Sequence, residues 1–170
     1  MDSHDKQMDI DSYDKQMDKE AGDLLKEWLN RSPDPLGATV LRGHLMVEQQ
    51  LIAGLEGCFP YPKPLNLPRQ PFSPLVRLVQ AFTYRHVNTR LWKAIHALSE
   101  ARNYLAHERD APELPAKVEQ FVSHTFASPE DRATLTNGQN LRYQLQVALI
   151  IVCSAIEGGF KMRDRDTDVS

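Results

Sequence analysis

The sequence predicts an all-α helical bundle, and two observations support this fold class. First, apolar residues recur at intervals of three and four along most of the chain, which is the spacing of one buried helix face. Second, no pair of runs alternates between apolar and polar residues as neighbouring strands of a half-buried sheet would. The chain has 170 residues, of which 41% are hydrophobic, and this suits one domain with a single core.

The chain begins with a nine-residue repeat, in which DSHDKQMD at 2–9 returns as DSYDKQMD at 11–18. This segment is rich in charge and poor in large apolar residues, so it cannot bury enough surface to fold. We therefore expect a disordered acidic tail over residues 1–20. One all-α domain is expected over residues 21–162, followed by a flexible C-terminal tail over residues 163–170.

The apolar spacing predicts successive helices that are separated by proline-rich or capped breaks. The longest break is CFPYPKPLNLPRQPFSP at 58–74, whose six prolines predict an irregular connection. A short helix is expected after SPEDR, with Ser128 as its N-cap. The other helices are marked by residues 24–29, 36–59, 75–82, 90–107, 118–122 and 141–160, the last ending at Gly158 and Gly159.

Composition and charge exclude several classes of protein. The net charge of −3 provides no overall basic field for nucleic acid, so an RNA partner would have to be met locally. Cys58 and Cys153 have no CxxC or metal-ligand spacing, which predicts reduced thiols. The N-terminus lacks a signal-peptide core, and the longest later apolar run, 147–156, is shorter than a membrane span. We expect a cytoplasmic protein without membrane contact.

Two predicted helices each carry a single charge within an apolar face. The charge is Arg102 in the helix at 90–107 and Glu48 in the helix at 36–59. A charge on such a face requires a partner, a water-filled cleft or a functional reason. Arg102 and Glu48 therefore either form an inter-helix salt bridge or belong to a functional site. The apolar members of the two faces are Leu91, Ile95, Leu98 and Leu105 in the first helix and Leu41, Leu45, Ile52, Leu55 and Phe59 in the second.

The surroundings of Arg102 favour a functional site. Asn103 and His107 lie about 100° and 140° round the helix from Arg102, so the three side chains share one sector. Arginine offers a fork of donors to phosphate oxygens, asparagine orients by hydrogen bonds, and histidine exchanges protons near neutral pH. These groups together can cleave RNA, with the 2′-hydroxyl as the internal nucleophile.

The segment RNYLAH at 102–107 resembles the R-x4-H motif of HEPN proteins. The wider order is also similar: LRGHLMVEQQL at 41–51, a proline-rich connection, and LWKAIHALSEARNYLAHE at 91–108. Small bacterial HEPN proteins, including relatives of the mannitol operon repressor family, share this arrangement. The resemblance covers residues 36–125.

The resemblance implies an HEPN-like helical bundle that acts as a metal-independent endoribonuclease, with no cofactor. Arg102, Asn103 and His107 are then the catalytic residues, and Glu48 matches the acidic residue that approaches the motif from an earlier helix and orients Arg102. Active HEPN members serve as toxins or in phage defence. Other members are catalytically inactive and act as binding or regulatory domains, and the sequence leaves this alternative open.

The expected partners are RNA, a second copy of the chain, and a separate antitoxin or regulatory protein. HEPN proteins are commonly dimeric, with two motifs facing one cleft. The apolar excess of the last predicted helix, 141–160, supplies a candidate dimer face if the domain does not cover it.

Three further residues are candidates for binding the substrate. Tyr104 either stacks on a base or packs within the protein, and Arg77 and Arg85 either guide RNA or form part of a solvated helix surface.

His44 and Glu48 stand four residues apart, which also permits a metal pair, but the spacing of a full zinc site is missing. We therefore expect no metal.

Overall fold

The computed structural model describes residues 35–108 and 111–167, and over these residues the chain is all-α without a strand. The predicted fold class is confirmed. The predicted tail over residues 1–20 and the helix marked by residues 24–29 lie outside the described residues. From Thr39 onward the described residues form one compact unit. The helices are α1 (Pro35–Cys58), α2 (Phe72–Thr83), α3 (Thr89–His107), α4 (Leu114–Thr125), α5 (Pro129–Thr136) and α6 (Leu141–Thr167).

Local sequence signals explain where two of the helices begin. Asn88 caps α3, because its side-chain oxygen accepts the N–H of Arg90 at 2.9 Å. Ser128 caps α5 in the same way and accepts the N–H of Asp131 at 3.1 Å, which confirms the predicted cap. The proline-rich connection contains two short 3₁₀ turns, Lys63–Leu65 and Leu67–Arg69.

Helix α6 is the central helix of the packing and contacts α2, α3, α4 and α5. Helix α1 runs parallel to α6 at short range. A Cβ on Gly43 would overlap Leu149, and a Cβ on Gly54 would overlap the ring of Phe160. Gly43 meets Leu149 and the later Gly54 meets the later Phe160, so the two helices run in the same direction. Glycines at these positions allow the close approach.

The predicted end of the last helix at Gly158 and Gly159 is wrong, because α6 continues to Thr167. Neither glycine has the positive φ of a helix-terminating position. Gly159 instead lies against the side chains of Val87 and Thr83, which would clash with a Cβ. The glycine therefore serves helix packing and does not end the helix.

The predicted apolar seam of α1 is wrong at Leu41 and Leu45, although its member Leu55 is fully buried. Leu41 is 49% exposed and Leu45 is 50% exposed. The face that α1 buries is rotated round the helix, next to the side on which Gly43 and Gly54 meet α6. Both faces carry apolar residues at helical spacing, and packing against α6 selects one of them. The buried residues on the selected face include Val40, His44, Val47, Leu51 and Leu55.

By length and composition alone, one stretch of α6 could cross a membrane. Leu141–Arg163 has a mean hydropathy of 1.5 over its most apolar window. The side chains of Leu145, Val152 and Ile156 on this stretch are fully buried in the helix packing. Burial in the helix packing accounts for part of its apolar character, since 39% of that window is buried, while Ile150 remains 61% exposed.

Arg132 links three helices through side-chain hydrogen bonds. Its Nη2 donates to Oε2 of Glu119 on α4 at 2.8 Å, and its Nε donates to Oε1 of Gln144 on α6 at 2.8 Å. The hydrogen bond from Arg132 lowers the pKa of the Glu119 carboxyl below its usual value. A single side chain of α5 therefore ties that short helix to both of its neighbours.

Candidate active site

A cavity of about 380 Å³ opens between α1, the start of α2 and the second half of α3. This volume is in the range of sites that bind small molecules or a single nucleotide. The wall combines a guanidinium, a carboxylate, an imidazole, amides and hydroxyls with a small apolar surface. The lining residues are His44, Glu48, Gln70, Pro71, Phe72, Ser73, Ser99, Arg102 and Asn103.

Arg102 and Asn103 meet at this cavity. Arg102 lies on the α3 face that carries the buried Leu98, but its own side chain is exposed. This face leaves the core near the C-terminal end of α3 and becomes part of the cavity wall. Nη1 of Arg102 donates a hydrogen bond to Oδ1 of Asn103 at 3.2 Å. Because a guanidinium has five N–H donors, most of the fork can still bind a phosphate.

The salt bridge between Arg102 and Glu48, one of the two alternatives from the sequence, does not form among the residues that the structure describes. Glu48 is half-buried and lines the same cavity. Since both charges face an open cavity, neither needs an ion pair to offset the cost of burial. The placement of the two residues fits the other alternative, a shared cleft.

His44 is a cavity residue whose role the sequence did not indicate beyond a possible metal pair. Its side chain is only 8% exposed, and its ring lies against Phe72 with 4.1 Å between ring centroids. Burial, and to a smaller extent the nearby charge of Arg102, together lower the pKa of His44 to about 4. The signal that could have identified His44 is its position on the buried face with Val47 and Leu51, where a polar ring is unusual.

His107 is exposed on the last turn of α3 and is not among the residues that line the cavity. It lies about 7.5 Å further along the helix axis than Arg102 and about 140° round the helix. The structure therefore brings Arg102, Asn103 and Glu48 together at one cavity but does not bring His107 into its lining.

Tyr104 is half-buried between α3 and the start of α4. Its hydroxyl accepts the backbone N–H of Glu113 at 3.2 Å, and the ammonium of Lys117 lies 5.1 Å from the ring centroid. These contacts agree with packing, the second of the two roles that the sequence allows, and Tyr104 does not line the cavity.

Arg77 and Arg85 are both exposed, and neither lines the cavity. Arg77 lies on α2, and Arg85 follows the end of that helix. Nε of Arg85 donates to the hydroxyl of Tyr84 at 2.7 Å. Any contact of these arginines with RNA would be to parts of the strand outside the cavity.

Within the described residues, no group of three His, Cys, Asp or Glu side chains is arranged to hold a metal ion. His44 and Glu48 share the cavity wall, but the other lining groups are amides, hydroxyls, an arginine and apolar side chains. This donor set suits an anionic organic ligand.

Comparison with known proteins finds no matching family model, no matching curated protein and no matching solved structure. The function is therefore inferred from the chemistry of the cavity and from the motif at 102–107.

Proposed function

We propose that this protein is a metal-independent endoribonuclease of the HEPN type. The observation that carries the proposal is the shared cavity at which Glu48 of α1 meets the neighbouring residues Arg102 and Asn103 of α3. The RNYLAH motif supports the same function. An enzyme of this kind acts in the cytoplasm on cellular or invading RNA, as a toxin or as a component of phage defence.

The reaction proceeds by attack of a 2′-hydroxyl on the adjacent phosphorus. Arg102 binds the phosphate and stabilises the negative charge that develops on its oxygens. Asn103 holds the guanidinium in place through the 3.2 Å hydrogen bond. His107, exposed on the last turn of α3, transfers a proton. Glu48 lines the same cavity from α1, and its negative charge is proposed to orient the guanidinium of Arg102.

The strand continues beyond the cavity, and exposed basic residues meet its phosphates. Arg77 and Arg85 are exposed on or next to α2, whose first residues form part of the cavity wall. Contacts of this kind add affinity without sequence preference and weaken as salt increases.

The experiment that tests the proposal measures RNA cleavage by matched variants. Arg102→Ala should reduce cleavage about 100- to 1000-fold, the usual cost of removing one group that stabilises transition-state charge. His107→Ala should reduce it about 100- to 10,000-fold. Both residues are exposed, so circular dichroism and thermal melting should be unchanged.

Two control variants lie on the same helix. Lys93 is exposed and lies about 180° round α3 from Arg102, so Lys93→Ala removes a positive charge from the opposite side. His96 is exposed and lies about 16 Å along the axis from His107, so His96→Ala removes an equivalent imidazole. Cleavage that responds equally to the site variants and to these controls would reject the proposed site.

A second candidate function is a catalytically inactive HEPN-like domain that regulates a protein partner. The position of His107 outside the cavity lining favours it. In that case no RNA is cut, His107→Ala has no biological effect, and a separate antitoxin or regulatory protein is the ligand to seek.

A further inference from the structure

We propose that His44 is a second catalytic histidine of the same site and accepts the proton of the attacking 2′-hydroxyl. This inference rests on the proposed ribonuclease function. It assigns a residue to the role of general base, which His107 cannot fill while it acts as the acid. Cleavage through a 2′-hydroxyl needs a base for the nucleophile and an acid for the leaving oxygen. His107 alone supplies only one of these groups at a time.

The surroundings of His44 give its ring a fixed orientation at the cavity wall. The side chain is 8% exposed, and the phenyl ring of Phe72 lies 4.1 Å away, tilted by 38°. No hydrogen bond to the imidazole forms within the described part of the chain. By contrast, the buried hydroxyls of Thr83 and Thr125 both donate to backbone carbonyls. A buried ring that lacks a protein partner and lines a cavity is placed to bond a ligand there.

The electrostatics of the wall keep this imidazole neutral, which is the form that can accept a proton. Burial and the positive charge of Arg102 both lower the pKa of His44, to about 4. The charged groups that line the cavity with it are Arg102 from α3 and Glu48 from its own helix. The start of α2 contributes neutral groups, among them Gln70 and Ser73. His107, by contrast, is exposed at the end of α3, so the two histidines lie in different surroundings.

A bound phosphodiester makes His44 a stronger base. Its negative charge, held by Arg102, offsets the positive charge that opposes protonation of the ring. The imidazole is therefore neutral before the substrate enters and gains proton affinity once the phosphate is in place.

The proton and bond changes balance without another reactant. His44 takes the proton of the 2′-hydroxyl as the bond between O2′ and phosphorus forms. The bond between phosphorus and O5′ breaks, and the imidazolium of His107 gives its proton to the departing O5′. The products are a 2′,3′-cyclic phosphate and a 5′-hydroxyl. Because displacement at phosphorus is in line, base and acid must act from different sides of the phosphate, so one histidine cannot fill both roles in the same step.

The test compares His44→Asn, His107→Ala and the control His96→Ala on two substrates. One is an RNA dinucleotide, and the other is a uridine 3′-phosphodiester with 4-nitrophenol as its leaving group, which departs without an acid. His107→Ala should lose about 100-fold or more on RNA but recover on the nitrophenyl ester, whereas His44→Asn should lose about 100-fold or more on both. If His44→Asn cuts both substrates at the parental rate, the role of His44 is overturned while the ribonuclease function stands. If the parent cuts neither substrate, both proposals fail.

A binding measurement on the parent protein covers the case in which His44→Asn does not fold. The imidazole of His44 is followed by NMR through a pH titration, with and without an uncleavable 2′-deoxy dinucleotide. The dinucleotide should raise the pKa of His44 from about 4 towards 6.5, while His96 should not respond. An unchanged pKa of His44 in the presence of saturating dinucleotide would overturn the inference.

Discussion

Acid should destabilise this protein through His44. The pKa of the imidazole is about 4 in the folded chain, against an ordinary value of 6.5, so the unfolded chain takes up the proton first as the pH falls. The contribution of neutral His44 to stability is therefore complete above about pH 6.5 and is lost as the pH falls towards about 4. Stability should rise with pH throughout this window, because the unfolded state binds more protons there.

The size of the effect follows from the two pKa values. The difference between 6.5 and about 4 corresponds to about 3 kcal/mol, since one pKa unit is equivalent to about 1.4 kcal/mol. This is a large fraction of the free energy of unfolding of a small domain, which is about 5–15 kcal/mol. The loss should therefore be visible in an ordinary denaturation experiment.

The assay is urea unfolding, followed by far-ultraviolet circular dichroism, at about pH 7.5 and about pH 4. The parent is compared with His44→Gln, which cannot titrate, and with His96→Gln, which removes an exposed histidine. Subtracting the pH dependence of His44→Gln removes the contributions of all other groups. The parent and His96→Gln should each lose about 3 kcal/mol more than His44→Gln.

Arg102 provides an internal check on the cause. Its charge is the second reason for the low pKa of His44, after burial. Arg102→Gln should therefore raise the pKa of His44 and reduce the pH dependence of stability without abolishing it. Equal pH dependence in the parent and in His44→Gln would refute the reasoning, because it would show that the ring is not held neutral in the folded chain.

Three further predictions concern packing, a surface network and assembly. Gly54→Ala should destabilise the protein by about 1–3 kcal/mol in thermal melting, because its Cβ would overlap the ring of Phe160. The control Gly57→Ala has open space around its Cβ and should gain up to about 1 kcal/mol of stability from helix propensity. Arg132→Lys should lose about 1 kcal/mol in urea unfolding, because lysine cannot make the forked contact that joins α4, α5 and α6, and an unchanged midpoint would contradict this. The chain should be a dimer by light scattering, and Ile150→Glu should produce a monomer if the exposed α6 face is the interface; a monomeric parent would exclude this.

Much of the helical layout could be predicted from local signals. The break at the prolines between α1 and α2 and the cap at Ser128 depend on the chemistry of a few neighbouring residues, so the sequence was sufficient for them. The buried face of α1 depends on which neighbour it meets. Leu41 and Leu45 fit a helical seam as well as Val40 and Val47 do, and only the approach of α6 distinguishes the two sets.

In the candidate site, too, the sequence predicted some features, and others depended on packing. Arg102 and Glu48 attracted attention because each charge interrupts an apolar pattern, and both do line one cavity. The salt bridge between them could not be judged from spacing, because it depends on whether the residues are sealed from solvent or face an open cavity. The sequence indicated His44 only as a possible metal ligand with Glu48, because its contact with Phe72 depends on a residue of α2 that lies far along the chain.

The measurement that tests the central claim most directly is end-group analysis of RNA after incubation with the purified protein in excess EDTA. Parent protein should release fragments with 2′,3′-cyclic phosphate and 5′-hydroxyl ends, and Arg102→Ala should release almost none. Intact RNA with the parent, cleavage that EDTA abolishes, or parental cleavage by Arg102→Ala would contradict a metal-independent site at this cavity.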